Sequence, residues 1–207
     1  MSMKRWFVIT VIIMASLCVG AQSLWDVSKP DRNFTFGLRA GLGLASTDQE
    51  YATSTRTSLS FGASADWNIV KSISLSTGLS FIPKGFKSNY GKGTANYLQV
   101  PVLIAYRIET PTGVLIQANI GPYFAWGVSG TIKYKPYDMT FNYDYDQDSF
   151  GKKGFFKHND FGLTAGANVQ IGHVLTGVSY DYGLADIAKV YGSFHNRYVM
   201  LLMGYNF

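Results

Sequence analysis

Read backwards by twos from Phe207, the chain gives Tyr205, Met203, Leu201 and Val199, an unbroken apolar series. Side chains on a strand alternate between faces, so this series is one face of a β-strand. That face stays apolar to the last residue, an aromatic, where a water-soluble sheet gains nothing from it. Lipid suits such a face, with the terminal ring in the interfacial belt where aromatic side chains concentrate. The pattern predicts an all-β, antiparallel, up-and-down transmembrane barrel. Three properties of the remaining chain test it: strand length, the placement of charge and the length of connections.

Eight segments alternate over about the length that a tilted spanning strand needs. Residues 34–44 place Phe36, Leu38, Ala40, Leu42 and Leu44 opposite Thr35, Gly37, Arg39, Gly41 and Gly43. Residues 58–69 place Leu59, Phe61, Ala63, Ala65, Trp67 and Ile69 opposite Ser60, Gly62, Ser64, Asp66 and Asn68. In 72–83, Ile73, Leu75, Leu79 and Phe81 oppose a serine stripe through Ser72, Ser74, Ser76 and Ser80. Residues 95–107 are apolar on both faces in the middle; Leu98, Val100, Val102, Ile104 and Tyr106 are taken outward, Tyr97, Gln99 and Arg107 inward. Residues 113–126 oppose Val114, Ile116, Ala118, Ile120, Phe124 and Trp126 to Gln117, Asn119 and Gly121. The same pattern holds in 160–171, with Asn168 and Gln170 inward, in 174–182, with Asp181 inward, and in the terminal strand 196–207.

Connections alternate short and long. Residues 70–71, 109–112 and 172–173 are tight, whereas the links around 45–57, 84–94, 127–159 and 183–195 are long. Bacterial barrels have short periplasmic turns and long extracellular loops, and an even strand count leaves both termini in the periplasm. The strand-internal charges Arg39, Asp66, Arg107 and Asp181 all have inward parity. A lipid-facing Arg or Lys at mid-depth would cost roughly 2–4 kcal/mol, so this segregation favours a membrane wall. Arg197 has outward parity but lies at a strand end, from which it can snorkel. Outward aromatics fall into two bands, Phe34, Phe36, Trp67, Tyr106, Tyr205 and Phe207 at the turn end, and Phe61, Phe81, Phe124, Trp126, Phe161, Tyr180 and Tyr182 at the loop end. These are expected to form the two aromatic girdles. A soluble barrel with an apolar inside would instead expose the serine stripe and leave the girdles without a purpose.

The N-terminus reads as a secretory signal, with Lys4 and Arg5 ahead of an apolar run 6–19 and small residues Gly20 and Ala21. The expected organisation is a signal peptide at 1–21, a periplasmic segment at 22–33 and the barrel at 34–207. Cys18 falls in the signal, so the mature chain has no thiol for a disulfide, a metal site or a nucleophile. Loss of Lys4 and Arg5 lowers the net charge from +5 to +3, too mild a balance for a nucleic-acid partner. Aromatic content of 15% with charged content of only 15% fits a membrane barrel destined for the outer membrane.

Several motifs together carry a resemblance. Asn33-Phe34-Thr35-Phe36-Gly37 leads into Gly41-Leu42-Gly43, and Tyr97-Leu98-Gln99-Val100-Pro101-Val102-Leu103 starts the fourth strand. Gly121-Pro122-Tyr123, Asp160-Phe161-Gly162 and Tyr180-Asp181-Tyr182-Gly183-Leu184 follow in order. The mature chain resembles the PorT-like outer-membrane β-barrel family of Bacteroidota, a porin-family grouping. The resemblance implies an eight-stranded barrel of the cell envelope, no catalytic residue, and, through one member of the family, a link to type IX protein secretion.

The interior of an eight-stranded barrel is about filled by side chains. Arg39, Asp66, Gln99, Arg107, Gln117, Asn119, Asn168, Gln170 and Asp181 are expected to form a polar network there, with Arg39 meeting Asp66 or Asp181. The alternative is a narrow ion path gated by that pair. Tyr205 and Phe207 form a C-terminal signature for the barrel-assembly machinery. The link 127–159 carries Tyr134, Tyr137, Phe141, Tyr143, Tyr145, Phe150, Phe155 and Phe156, which suits a protein or glycan partner or packing on lipopolysaccharide. Part of it is expected to prolong the wall as a hairpin. Asp144, Asp146 and Asp148 lack the glycine and glutamate of a calcium loop, since Ser149 and Phe155 stand there. His195, Ser193 and Asp186 share one loop and suit a lipid acyltransferase triad only by residue type. The expectation is therefore a non-enzymatic protein without cofactor or metal.

Overall fold

The computed structural model describes residues 25–47, 55–88, 91–134, 145–150, 154, 156–189 and 194–207. The expected signal peptide, Ser193, Phe155 and Tyr137, Phe141, Tyr143 and Asp144 lie outside them. The strands are β1 (Phe34–Thr47), β2 (Arg56–Val70), β3 (Ile73–Ser88), β4 (Gly91–Glu109), β5 (Val114–Ser129), β6 (Thr131–Tyr134), β7 (Tyr145–Asp148), β8 (Asn159–Ile171), β9 (Val174–Gly183) and β10 (Asn196–Asn206). Every pairing is antiparallel. Eight strands follow the order β3-β2-β1-β10-β9-β8-β5-β4, and β3–β4 pairing closes the ring. The remaining two, β6 and β7, form a hairpin that hangs on β4 through Gly91–Gly93 and extends the wall.

Alternation decides the register. Leu42 sits beside Leu59 on one side and Leu201 on the other, three exposed leucines in one outer row. A one-residue slip of any strand would turn that row into the interior. At the turn end, Gly172 alone of the two residues between Ile171 and Val174 has positive φ (58°), the demand that a two-residue II′ hairpin places on its first central residue. The N-terminal segment crosses this same end. Ser72 N donates to Asp26 O and Asp26 N donates to Ser72 Oγ, Arg32 Nη1 donates to Phe207 O at 2.7 Å, and Trp25 stacks on Tyr106.

Three expectations are corrected. The link 84–94 is no loop: β3 and β4 run on to the pair Ser88–Gly91, as a long hairpin above the apolar band. The lining is also not uniformly polar, because Ile82, Leu103, Leu175, Tyr198 and Leu202 are buried among the inward residues. A lumen this narrow is packed, and only its charged members need partners. Finally, β10 ends at Asn206, with Phe207 held beyond it through Phe207 N to Phe36 O.

Candidate functional site

The loop end of the barrel holds its densest chemistry. Lys84 has the inward parity of Ser80 and Ile82, and its chain rises inside the mouth. Its Nζ lies 3.1 Å from Asp160 Oδ2 and 4.0 Å from Asp181 Oδ2. Lys84 is 1% exposed and Asp160 0%. Ions so far from water are tolerated only with complete hydrogen bonding. Neutral donors supply it: Asn196 Nδ2 gives 2.8 Å to Asp160 Oδ2, and Tyr123 OH reaches the same carboxylate at 3.3 Å. Thr164 Oγ1 donates to Asp181 at 2.6 Å and Gln99 Nε2 at 2.9 Å. The ammonium also lies 4.3 Å from the Tyr123 ring centre and 5.5 Å from that of Tyr97, so two aromatic faces share its charge.

An apolar lid lies over this cluster. Phe150, Phe156, Ile132 and Ile187 are buried with Tyr97 and Tyr123, and Phe86 and Phe194 pack against them. Phe150 meets Tyr97 edge-on at 5.5 Å and stacks on His158, which also stacks on Trp126. Backbone bonds tie the lid down: Ser149 N to Gly130 O, Phe156 N to Ser149 O and Lys157 N to Ile187 O. Ser149 Oγ also donates to Thr94 O at 2.6 Å. Two of the loop aromatics expected to face a partner, Phe150 and Phe156, instead fill the mouth. Burying a ring there gains apolar area that exposure forfeits.

Below the cluster lie two cavities. One of about 130 Å³ is lined by Arg39, Asp66, Gln99, Asn119, Asn168 and Asp181 together with Leu103, Leu175, Met200 and Leu202. The other, about 330 Å³ at the turn end, is lined by Arg32, Lys71, Arg107, Glu109, Gln170, His173 and Asn206. Gln117 Nε2 contacts Ser76 Oγ, Arg107 Nη1 donates to Asn68 Oδ1, and Asn206 Nδ2 gives 2.6 Å to Gln170 Oε1. Arg39 corrects the expected pairing: its Nη1 donates to Leu38 O at 3.1 Å and Tyr205 O at 3.5 Å, not to a carboxylate. The guanidinium lies over Gly37 and Gly204, where any Cβ would collide with it. Among the described residues the lumen's ion pairs join Lys84 to Asp160 and to Asp181, and sequence reasoning placed a role in neither Lys84 nor Asp160. The signal was present, since continuing the even parity of β3 past Pro83 reaches Lys84 and continuing that of β8 back from Gly162 reaches Asp160.

On the outside, Phe34, Phe36, Trp67, Phe61, Phe124, Trp126, Phe161, Tyr180, Tyr182, Tyr205 and Phe207 are exposed. Tyr106 is half-covered by Trp25, and Phe81 by Phe61. In the rim loop, Asp186 Oδ1 accepts from Ala188 N and Phe194 N, both at 3.0 Å, so that carboxylate serves the backbone. Those bonds, the one to Phe194 first, hold its pKa below the usual aspartate value. Asp148 Oδ1 likewise accepts from Phe150 N. Among the described residues no group of three His, Cys, Asp or Glu could hold a metal ion.

The family described as outer membrane protein beta-barrel domain matches residues 21–189. Among solved structures, neisserial surface protein A is similar at 12% identity, over 85% of this chain and 98% of that one, with a TM-score of 0.51. The attachment invasion locus protein Ail of Yersinia pestis aligns at 14% identity over 85% of this chain and 100% of that one, with a TM-score of 0.47. No curated protein matches. The likeness to neisserial surface protein A is one of fold.

Proposed function

The chain belongs to the outer membrane protein beta-barrel domain family, and from that premise we propose a closed, non-enzymatic barrel whose working surface is its loop end. In this reading 1–21 is a signal peptide, 22–33 a periplasmic segment and 34–207 the barrel. The turn end faces the periplasm, and Tyr205 and Phe207 are read by the barrel-assembly machinery. The polar network around Arg39, Asp66, Gln99, Arg107, Gln117, Asn119, Asn168, Gln170 and Asp181 stabilises the lumen. The loops face outward and engage lipopolysaccharide or a protein or glycan partner. The observation that carries the reading is the buried Lys84–Asp160 pair beneath the Phe150–Phe156 lid. An ion crossing there would have to displace a hydrogen-bonded pair and a packed aromatic layer together.

Planar-bilayer recording tests it. The mature protein is expected to show no steady openings. Steady openings that vanish in Arg39→Ala or Asp66→Ala would replace this reading with the narrow passive channel. The PorT-like assignment rests on the ordered motifs around Tyr97–Leu103 and Tyr180–Leu184, and an accessory role in type IX secretion goes with it. Loss of exported proteins on gene deletion supports that role, and an unchanged exported set removes it.

A further inference from the structure

Above the apolar band the extended wall becomes a four-stranded arm, β3–β4–β6–β7. Its inner face is apolar: Phe86 and Ile132 pack into the lid. Its outer face carries a row of lysines. Lys87 of β3 is directly opposite Lys92 of β4, and Lys92 is directly opposite Lys133 of β6. Lys87 and Lys92 are exposed. Like charges facing each other across a ladder are destabilising, with Cβ atoms only about 5 Å apart. At the far end of the row, Asp146 of β7 stands opposite Lys133. Between Lys87 and Lys92 there is no acid, and neither makes an ion pair among the described residues.

Edge protection explains a lysine on an edge strand. It explains Lys87, since among the described residues β3 has no strand partner on its β2 side beyond Phe81. It does not explain Lys92 or Lys133, because β4 and β6 are paired on both sides. An anion bound between the two ammonium groups would relieve the repulsion. Height selects its source. Lys87 lies six residues beyond the girdle residue Phe81, roughly 20 Å of strand and, at the usual tilt, roughly 15 Å above the girdle. A phospholipid head group occupies only about 5–7 Å beyond the hydrocarbon. At the height of the row only the saccharide of an outer-leaflet glycolipid is reached. Compact ammonium groups bind phosphate as point charges.

The geometry points to Lys87 and Lys92, flanked by Lys133, as a binding patch for phosphate groups on the core saccharide of outer-leaflet lipopolysaccharide. This rests on the outward orientation of the loop end proposed above. The mature chain, folded in maltoside detergent, is titrated calorimetrically with phosphorylated rough lipopolysaccharide and with the same material stripped of phosphate by hydrofluoric acid. Wild type is expected to bind the phosphorylated form about tenfold more tightly, from two exposed charge contacts, with the difference shrinking as salt is added. The K87Q/K92Q variant loses that preference, whereas Lys71→Gln at the opposite end keeps it. Equal binding of the two forms by wild type, or an undiminished preference in K87Q/K92Q, overturns the patch. Binding of both forms that falls equally in the variant assigns the row to other anions of the glycolipid, such as its sugar carboxylates, and overturns the phosphate assignment. Labelling intact cells with an impermeant amine reagent separates the two readings. If Lys87 and Lys92 label only after the outer membrane is opened, the orientation has failed, whatever the detergent result. If they label in intact cells and the preference is absent, only the patch has.

Discussion

The ammonium of Lys84 is out of reach of water, and what makes that tolerable is the number of groups arranged around it. Two carboxylates, two tyrosine faces and donors from Asn196, Gln99 and Thr164 close the cluster. Removing one member strands the rest. Lys84→Met is expected to destabilise the barrel by about 3–5 kcal/mol, because it leaves Asp160 buried without its cation. Lys84→Met/Asp160→Asn is expected to cost less than the two single changes summed, by about 1–3 kcal/mol. Urea unfolding in micelles measures both, and additivity would show that the pair is not coupled. Part of the lumen was legible residue by residue, because inward parity is a local property of each strand: Gln99, Asp181, Asn168 and Gln117 could be read from period two alone, whereas Lys84 and Asp160 were given no role. Which of them meet was not legible. Contacts across the lumen depend on the stagger of all eight strands, and that stagger puts Arg39 over Gly37 and Gly204 while bringing Asp181 toward Lys84.

At the scale of elements, the strands could be read wherever the bilayer enforces an apolar outer face, and beyond it the hairpin in 127–159 was expected while 84–94 was misread as a loop. Lys84-Gly85-Phe86-Lys87-Ser88 and Gly91-Lys92-Gly93-Thr94 look like loop because charge and glycine interrupt the apolar series. Above the membrane the outer face meets water and tolerates charge, while Phe86 still turns inward onto the lid. The hairpin therefore keeps its period and reverses its polarity. Beside it the loop 184–189 has almost no ladder of its own and is organised by Asp186. The carboxylate accepts from the Phe194 and Ala188 amides, and those bonds hold its pKa down. A depressed folded-state pKa means that the stabilisation is whole above the ordinary aspartate value of about 3.9 and is lost as pH falls through the folded value beneath it. Hydrogen-exchange protection at Phe194 and Ala188 is accordingly expected to be constant from neutral pH to about pH 5 and to fall on further acidification. Asp186→Asn should lower protection at neutral pH and abolish the dependence on pH. Protection that falls equally in wild type and variant would place the acid sensitivity elsewhere.

For the whole molecule the governing fact is that its most apolar surface is its outermost. Leu42, Leu59 and Leu201 are 56%, 67% and 55% exposed in a single row, an arrangement that water penalises and a bilayer accepts. Leu201 is central on β10, between Tyr205 toward the turn end and Arg197 toward the loop end. Arg197 shows what the rim permits: its guanidinium lies 3.7 Å over the Tyr182 ring centre and donates to Gly183 O at 2.9 Å. A cation at the centre has no such shelter. Leu201→Arg is expected to cost roughly 2–4 kcal/mol and Phe34→Arg, at the turn-end rim, about 0–1 kcal/mol, because the penalty for a lipid-facing cation declines from midplane to interface. Urea-dependent folding into phosphatidylcholine vesicles measures the difference directly. The gradient is specific to a membrane, since in a water-soluble barrel both substitutions would replace an exposed apolar side chain with a solvated charge and fall within about 0.5 kcal/mol of wild type. Equal, small effects at Leu201 and Phe34 would therefore remove the bilayer from the account of this surface, and with it the reason for the chain to keep an apolar face as far as Phe207.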